Sequence, residues 1–181
     1  IAPETEPRVK ARVLESYLRL SKALLETLNI LGLSPEANEK KQDGDPTKPN
    51  PVCFEVPSNY EITVNDKKLI GSAQARRKAG ILQHGALPLG GDLTRIISAL
   101  RFPDEGSRVR ARKRLLAHAT TVEKELGCKP EWQEASAAIQ HAFQTILNLN
   151  LETGTLTTFE KICSQVLMHN KYAHVSWTQR I

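Results

Sequence analysis

Two residues with complementary chemistry stand fifteen positions apart in this sequence. Cys53 offers a thiol at the head of one predicted strand, and Lys68 offers an ammonium on the strand beside it. A free thiol has a pKa of about 8.5, so little of it is thiolate at neutral pH, and a nearby ammonium raises the thiolate fraction. Taken alone, such a cysteine is most often an inert half-buried thiol and such a lysine is most often solvated. The two residue types are those of a nucleophile beside a cation, and the surrounding sequence has to decide between this interpretation and the ordinary one.

The segment around this pair has the pattern of a three-stranded antiparallel meander. Residues 34–52 contain four prolines and almost nothing apolar, which predicts a mobile loop that leads directly to Cys53. Alternating residues up to Val64 predict a first strand, and the Asn65-Asp66 turn leads to a second strand over 68–74. After a turn at 77–80, residues 81–87 form the third predicted strand.

Helical periodicity dominates the remainder of the chain. A long amphipathic helix is predicted over 9–31 with Gly32 as its stop, and Asp92 is predicted to cap a short helix that runs to Leu100. Further helices are predicted over 107–118, over 122–126 with Gly127 as its stop, over 131–148, and over 159–171 after a capping box of Thr157 and Glu160. The residues predicted to face inward on the helix over 131–148 are Trp132, Ala135, Ile139, Phe143 and Ile146, and those on the last helix are Ile162, Cys163, Val166 and Leu167. We therefore expect an α+β fold, in which strands and helices are segregated.

Composition and charge narrow the class of protein. No apolar run approaches the ~20 residues that span a bilayer, and the first residues lack an export signal. Three widely spaced cysteines argue against a disulfide framework or a metal site, so we expect a cytoplasmic protein without a membrane partner or a metal. The formal charge of +5 includes the basic clusters 76–78 and 108–114. A solvated helix face is the ordinary interpretation of the second cluster, but we favour an acidic protein partner over nucleic acid because aromatic residues are scarce nearby.

A family resemblance is carried by the stretch KKLIGSAQARRKAGILQHGALPL, residues 67–89. It resembles the signature of the biotin and lipoate protein ligase superfamily, in which a lysine precedes a G-S-A segment and an H-G strand follows. The preceding CF-x-x-PS-x-YE motif, which begins at Cys53, resembles the octanoyltransferase branch. That branch moves an octanoyl group from acyl carrier protein to a lysine of a lipoyl-domain protein, such as the glycine cleavage H protein or the E2 subunit of a 2-oxoacid dehydrogenase.

The resemblance implies a role for each residue of the motif. Cys53 becomes the nucleophile that takes the acyl group as a thioester, and Lys68 stabilises the thiolate or the charge that develops on the thioester oxygen. The implied substrate-binding residues are Gly71, Ser72, Ala73, Gln74, Gln83, His84 and Gly85. Of these, His84 is expected to be a pocket wall and not a general base. No cofactor is implied.

One family feature is missing from this sequence. Members of the superfamily carry an upstream R-R-x-x-G-G-x-x-x-x-H segment that builds part of the acyl pocket, and nothing here supplies it. We therefore expect residues 1–181 to be the later part of a single catalytic domain, and to leave a sheet edge and an apolar face uncovered.

Two alternatives to the octanoyltransferase remain open. The first is a lipoate-protein ligase that activates the free acid with ATP and Mg²⁺ and uses Lys68 to hold the acyl-adenylate. The second is a non-catalytic fragment that only binds a lipoyl domain or an acyl group. Cys53 favours the transferase over the ligase, because adenylation needs no thiol nucleophile.

Overall fold

The structure, a computed structural model, describes residues 1–10, 12–38, 61–78 and 80–179. Contacts between Cα atoms divide the chain into two compact units, Ile1–Leu149 and Asn150–Ile181. The first unit contains both strands and helices, which confirms the predicted α+β class. No helix in the described ranges is long and apolar enough to cross a bilayer.

The strands of the first unit form one four-stranded antiparallel sheet. Its strands are β1 (Glu36–Asn38), β2 (Glu61–Val64), β3 (Lys67–Arg77) and β4 (Gly80–Ala86), and they pair in chain order. The three predicted strands are confirmed. β1 was missed, because a segment of three residues is too short to show a strand pattern and forms a strand only by pairing with β2. Residues 36–38 therefore do not belong to a loop, and the prediction of a mobile loop beyond residue 38 lies outside the described residues.

The turn between β2 and β3 follows from its two residues. Asn65 and Asp66 have φ angles of 50° and 61°, as the paired left-handed positions of a tight hairpin turn require. The Asn65 amide also donates to a Glu125 carboxylate oxygen at 2.6 Å, which ties the turn to a helix. At the other edge of the sheet, Ala2 pairs with Ile81 of β4, and no strand of the described ranges lies beyond β4.

The described part of the first unit also contains five helices. They are α1 (Val13–Ile30), α2 (Arg95–Ala99), α3 (Glu105–His118), α4 (Val122–Leu126) and α5 (Trp132–Leu147). Gly32 at φ +87° and Gly127 at φ +77° follow α1 and α4, and both predicted stops are confirmed. Asp92 accepts hydrogen bonds from Thr94 just before α2 and does not cap the helix itself.

α1 links the main hydrophobic clusters of the first unit. Leu28 is fully buried with residues of β2, β3 and α4, while Leu20 and Ala23 pack with β4 and the end of α5. α5 contacts α1, and its buried residues are Ala135, Ala138, Ala142 and Leu147. The prediction that Trp132, Ile139 and Ile146 face inward is wrong, since all three are exposed. Small alanines let two helix backbones approach closely, and the larger side chains flank that contact.

The second unit consists of α6 (Thr158–Leu167), a π-helical turn (Met168–Tyr172) and α7 (Val175–Thr178). Thr157 and Glu160 form the predicted capping box at the start of α6. The predicted inward residues Ile162, Val166 and Leu167 are exposed, and Cys163 is only half-buried, so that prediction is wrong. The Lys171 ammonium lies 5.2 Å from the Tyr172 ring and 5.1 Å from the Trp177 ring.

Candidate active site

Lys68 is buried near the start of β3, with only 8% of its surface exposed. It pairs with Thr63, and the next pair joins Ile62 to Ile70, so Leu69 has no partner in the ladder. This β-bulge explains why Lys68, Leu69 and Ile70 are all buried, although side chains of a regular strand alternate between two faces. Lysine is almost never buried without a partner. The interpretation of Lys68 as an ordinary solvated lysine is therefore wrong.

The backbone of Lys68 is held by the chain that leaves α3. Thr120 donates its amide hydrogen to the Lys68 carbonyl oxygen at 3.0 Å, and Ala119 forms a parallel bridge with Lys68. Both Ala119 and Thr120 are buried. The Thr120 hydroxyl donates to Glu125 at 2.5 Å, and Glu125 also accepts from the Asn65 turn. The Glu125 carboxylate therefore holds both the turn that precedes β3 and the segment that follows α3 next to Lys68.

The β3–β4 ladder brings together the predicted substrate-binding residues. Six of them form three consecutive pairs, which are Ser72 with Gly85, Ala73 with His84, and Gln74 with Gln83, and the seventh, Gly71, pairs with Ala86. Because successive side chains of a strand point to opposite faces, these residues divide into two sets. The sequence predicted that the residues meet, but not how they divide.

The first set faces α1. The Tyr17 hydroxyl lies 2.7 Å from the Ser72 hydroxyl, and Gln74 donates its amide to the Gln83 side-chain oxygen at 3.1 Å. The Ser16 hydroxyl oxygen, which belongs to a completely buried residue, lies 3.0 Å from the Gln74 oxygen. This face of the hairpin is thus occupied by a polar network.

Arg76 completes the network on the α1 face. Its guanidinium donates to the Gln74 oxygen at 2.8 Å, to the Ser16 hydroxyl at 2.6 Å and to the Val9 carbonyl at 3.0 Å. Charge-assisted hydrogen bonds are stronger than neutral ones. Arg76 therefore locks the hairpin to α1 and to the segment before it.

The opposite face carries the second set and is open. Ala73 and His84 are exposed, and their neighbours on the same face are Ala75 and Leu82, which are also exposed. His84 and Gly85 are successive residues of β4 and thus point to opposite faces of the hairpin. The two residues therefore cannot line the same wall of a pocket. Small side chains in this row leave room for a ligand beside the strands.

Gly85 allows the two strands to approach closely. A Cβ atom at this position would lie 2.8 Å from the Gly71 carbonyl oxygen and 2.9 Å from the Ser72 Cβ. Neither atom can rotate away. Glycine is therefore required here by packing.

The partner predicted for Lys68 is Cys53, which lies outside the described residues. Among the cysteines that the structure describes, Cys128 is exposed and Cys163 is half-buried. No group of three or more histidine, cysteine, aspartate or glutamate side chains in the described ranges is arranged to hold a metal ion.

Comparison with known proteins decides the family. Residues 1–144 match the lipoyl protein ligase A/B catalytic domain. The chain belongs to this family. The predicted superfamily is confirmed, and the lysine, G-S-A and H-G motifs of the sequence lie on the two strands that the β3–β4 ladder joins.

The sequence relatives of this lipoyl ligase-family chain lie in the octanoyltransferase branch. The octanoyltransferase LipM of Brevibacillus brevis is 34% identical over 99% of this chain and 67% of its own length. LipM of Oceanobacillus iheyensis is 32% identical over 87% of this chain and 56% of its own length. LipM of Bacillus subtilis is 31% identical over 99% of this chain and 66% of its own length. The chain thus spans about half to two-thirds of these relatives.

Solved structures of lipoate-protein ligases share the fold. The bipartite lipoate protein ligase of Thermoplasma acidophilum matches 92% of this chain and 58% of its own with a TM-score of 0.73 at 22% identity. A lipoate-protein ligase A bound with ATP matches 91% of this chain and 58% of its own with a TM-score of 0.66 at 22% identity. At these identities the likeness establishes the fold of the family.

The sequence patterns did not reveal the residues that support the ladder from α1. Ser16 and Tyr17 are polar residues on the inward side of an amphipathic helix, and Arg76 lay in a cluster interpreted as surface charge. The inward position of Ser16 was the available signal, because a buried hydroxyl needs a hydrogen-bond partner.

Proposed function

We propose that this protein is an octanoyltransferase of lipoate biosynthesis that uses a cysteine acyl-enzyme. Its donor is octanoyl-acyl carrier protein, and its acceptor is a lysine of a lipoyl-domain protein, such as the glycine cleavage H protein or an E2 subunit. We place the reaction in the cytoplasm. The observation that carries the proposal is the burial of Lys68 at the start of the strand that bears the other motif residues. The names of the LipM relatives support the same activity.

The first step exchanges one thioester for another. The Cys53 thiolate attacks the carbonyl carbon of the donor thioester, and the tetrahedral intermediate collapses with loss of the carrier thiolate. One carbon–sulfur bond forms and one breaks, so the step needs neither ATP nor a redox partner. The Lys68 ammonium favours the Cys53 thiolate and donates a hydrogen bond to the oxyanion.

The second step makes the product amide. The neutral amine of the acceptor lysine attacks the acyl-Cys53 carbonyl, the carbon–sulfur bond to Cys53 breaks, and the proton that the amine loses is taken up by the departing sulfur, which restores the free Cys53 thiol. Conversion of a thioester to an amide is favourable, so this step drives the overall transfer reaction forward. Loss of an oxyanion donor typically costs about 10²–10³ in rate, which is the effect that we assign to Lys68.

The acyl chain belongs on the open face of the β3–β4 hairpin in this proposal. The α1 face is filled by the network of Ser16, Tyr17 and Arg76, whereas Ala73 and Leu82 leave an exposed apolar row on the other. A saturated chain requires apolar walls and no polar partner. His84 then contributes a wall and not a base.

The ATP-dependent ligase is the second candidate function. The fold likeness to a lipoate-protein ligase A bound with ATP favours it. In that case ATP and Mg²⁺ would activate free octanoate or lipoate, and Lys68 would hold the acyl-adenylate. Cys53 would then have no chemical role.

Two parallel reactions distinguish these functions. The protein is incubated with octanoyl-acyl carrier protein and an apo lipoyl domain without ATP, and separately with octanoate, ATP and Mg²⁺. Mass spectrometry of the lipoyl domain should give an octanoyl adduct in the first reaction, and Cys53→Ala should abolish it while Cys128→Ala, which changes an exposed thiol, should not. An adduct that forms only with ATP would reject the transferase and support the ligase, whereas an ATP-independent adduct that survives Cys53→Ala in full would reject the cysteine acyl-enzyme.

A further inference from the structure

The positive charge of the chain is concentrated on one segment. Residues 92–118 hold seven of the 25 Lys and Arg residues and three of the 20 Asp and Glu residues, which leaves 18 basic and 17 acidic residues elsewhere. This segment therefore carries +4 of the formal charge of +5. It comprises the turn before α2, α2 itself and α3. An acidic partner would find its strongest attraction here.

The outward side of α3 also presents apolar side chains. Val109, Lys113 and Leu116 are spaced four and three residues apart and share one face, and Arg110 lies beside them. Val109 is 43% exposed and Leu116 is 40% exposed, although each stands among cations. We call these four residues the α3 outer face. An apolar centre with a charged rim is the composition of a protein–protein interface.

The same surface is poorly suited to single-stranded nucleic acid. Single-stranded nucleic acid needs exposed aromatic rings on which bases stack. Phe102 is the aromatic residue nearest to α3 in sequence, and it is half-buried with the Arg108 guanidinium 5.7 Å from its ring centre. Exposed valine and leucine contribute nothing to phosphate binding. The composition of the α3 outer face therefore favours an acidic protein.

α3 is rigidly mounted below this face. Ala111 and Leu115 are buried, the Asp104 side chain accepts from the Ser107 amide at 2.6 Å to cap the helix, and Arg112 donates to the Thr94 hydroxyl at 2.7 Å. A preformed surface avoids the ordering cost of binding.

The α3 outer face lies near the candidate active site, because the chain contacts Lys68 directly after α3 ends. Ala119, the residue after α3, pairs with Lys68. At a rise of about 1.5 Å per residue, Lys113 lies roughly 9 Å and Val109 roughly 15 Å along the helix from Ala119. A partner on this face is therefore close to Lys68, the residue that we assign to stabilise the oxyanion.

We propose that the α3 outer face is the docking surface for the acidic acyl carrier protein that delivers the octanoyl thioester. This inference rests on the proposed function for the identity of the partner. The cations attract the acidic carrier, and Val109 and Leu116 pack against an apolar part of its surface. Lys113 and Arg110 are specificity residues for the donor, without contact to the reacting atoms.

A binding measurement tests this surface without requiring turnover. Fluorescently labelled apo acyl carrier protein is titrated with the wild type, with Arg110→Gln/Lys113→Glu, and with Lys10→Gln/Lys22→Glu, which makes the same charge change at exposed lysines outside the basic segment. Removal of rim charges should weaken carrier binding about tenfold in the first variant and less than about twofold in the control. Wild-type binding should also weaken as salt rises. Leu116→Ser tests the apolar centre and should weaken binding without changing the salt dependence.

Kinetics separate docking from damage to the site. In Arg110→Gln/Lys113→Glu, the KM for octanoyl-acyl carrier protein should rise with little change in kcat, while transfer from the small thioester octanoyl-pantetheine should be unaffected. Equal carrier binding by the two charge variants would overturn the docking proposal, as would selective loss of binding to the lipoyl domain or to DNA. If the wild type binds carrier through this face but transfers no octanoyl group, docking stands and the proposed function fails.

Discussion

The substitution Gly85→Ala tests the close contact between β3 and β4 at the candidate site. The new methyl carbon would lie 2.8 Å from the Gly71 oxygen, and ordinary contact begins at 3.4 Å, so the strands must separate by about 0.6 Å at this pair. The obstructing atoms belong to the backbone and to a Cβ, and no side-chain rotation relieves them. The separation would also strain the hydrogen bond between Tyr17 and Ser72, which anchors this part of β3 to α1.

We expect Gly85→Ala to lower the free energy of unfolding, because it overpacks the contact between the two strands. Such changes typically destabilise by about 1–3 kcal/mol. At about 2–4 °C per kcal/mol for a chain of this size, the midpoint of thermal unfolding should fall by roughly 2–12 °C. Because the shift misplaces the strand next to the acyl site, we also expect kcat/KM for octanoyl transfer to fall about tenfold.

Calorimetry and the transfer assay measure both effects, with Gly154→Ala as the control. A methyl group at Gly154 would meet no atom within 4 Å, and its φ is not positive, so this substitution should leave both quantities unchanged or slightly raise the unfolding temperature. If Gly85→Ala unfolds and turns over like the wild type, the two strands do not meet at the inferred distance and the assignment of this ladder to the site is unsupported.

Three further predictions concern the lysine, a helix cap and the core. Lys68→Met keeps the buried stem and should lower the transfer rate about 10²–10³-fold, while Lys67→Met should have little effect; similar rates for the two variants would remove Lys68 from the mechanism. Hydrogen bonds from the Ser107 amide and hydroxyl lower the pKa of the Asp104 carboxyl. The cap therefore stabilises α3 above the ordinary pKa of about 4 and is lost as pH falls through the lowered value. The protection of amides in the first turn of α3, measured relative to their intrinsic exchange rates at each pH, should therefore fall in acid, and Asp104→Ala should abolish that dependence. Leu28→Ala should destabilise the fold by about 2–5 kcal/mol, measured by urea unfolding, whereas the exposed Ile30→Ala should cost less than about 0.5 kcal/mol.

Local chemistry explains which parts of the fold could be predicted from sequence. Gly32, Gly127 and the Asn65-Asp66 turn were recognised because each needs a positive φ that few other residues adopt. β1 was not recognised, because a strand of only three residues is specified by its partner. The buried face of α5 was misassigned because alanines pack against α1 while larger apolar residues stay outside.

The sequence predicted which residues belong to the candidate site but not how their side chains are arranged. The motif located Lys68 and the residues of the β3–β4 ladder, because family signatures fix residue types at fixed spacing. The burial of Lys68 depends on a β-bulge, and the division of the ladder into two faces depends on contacts with Ser16 and Tyr17 of α1. Both arise from long-range packing, which a local pattern does not encode.

The most direct test of the acyl-enzyme mechanism is the mass of the acylated protein. After brief incubation with octanoyl-acyl carrier protein and no acceptor, we predict one octanoyl group on the protein, located by peptide mapping at Cys53 and released by hydroxylamine. The adduct should be absent in Cys53→Ala and slow to form in Lys68→Met. An unmodified Cys53 in a protein that still acylates its lipoyl domain would contradict the acyl-enzyme and the pairing of Cys53 with Lys68.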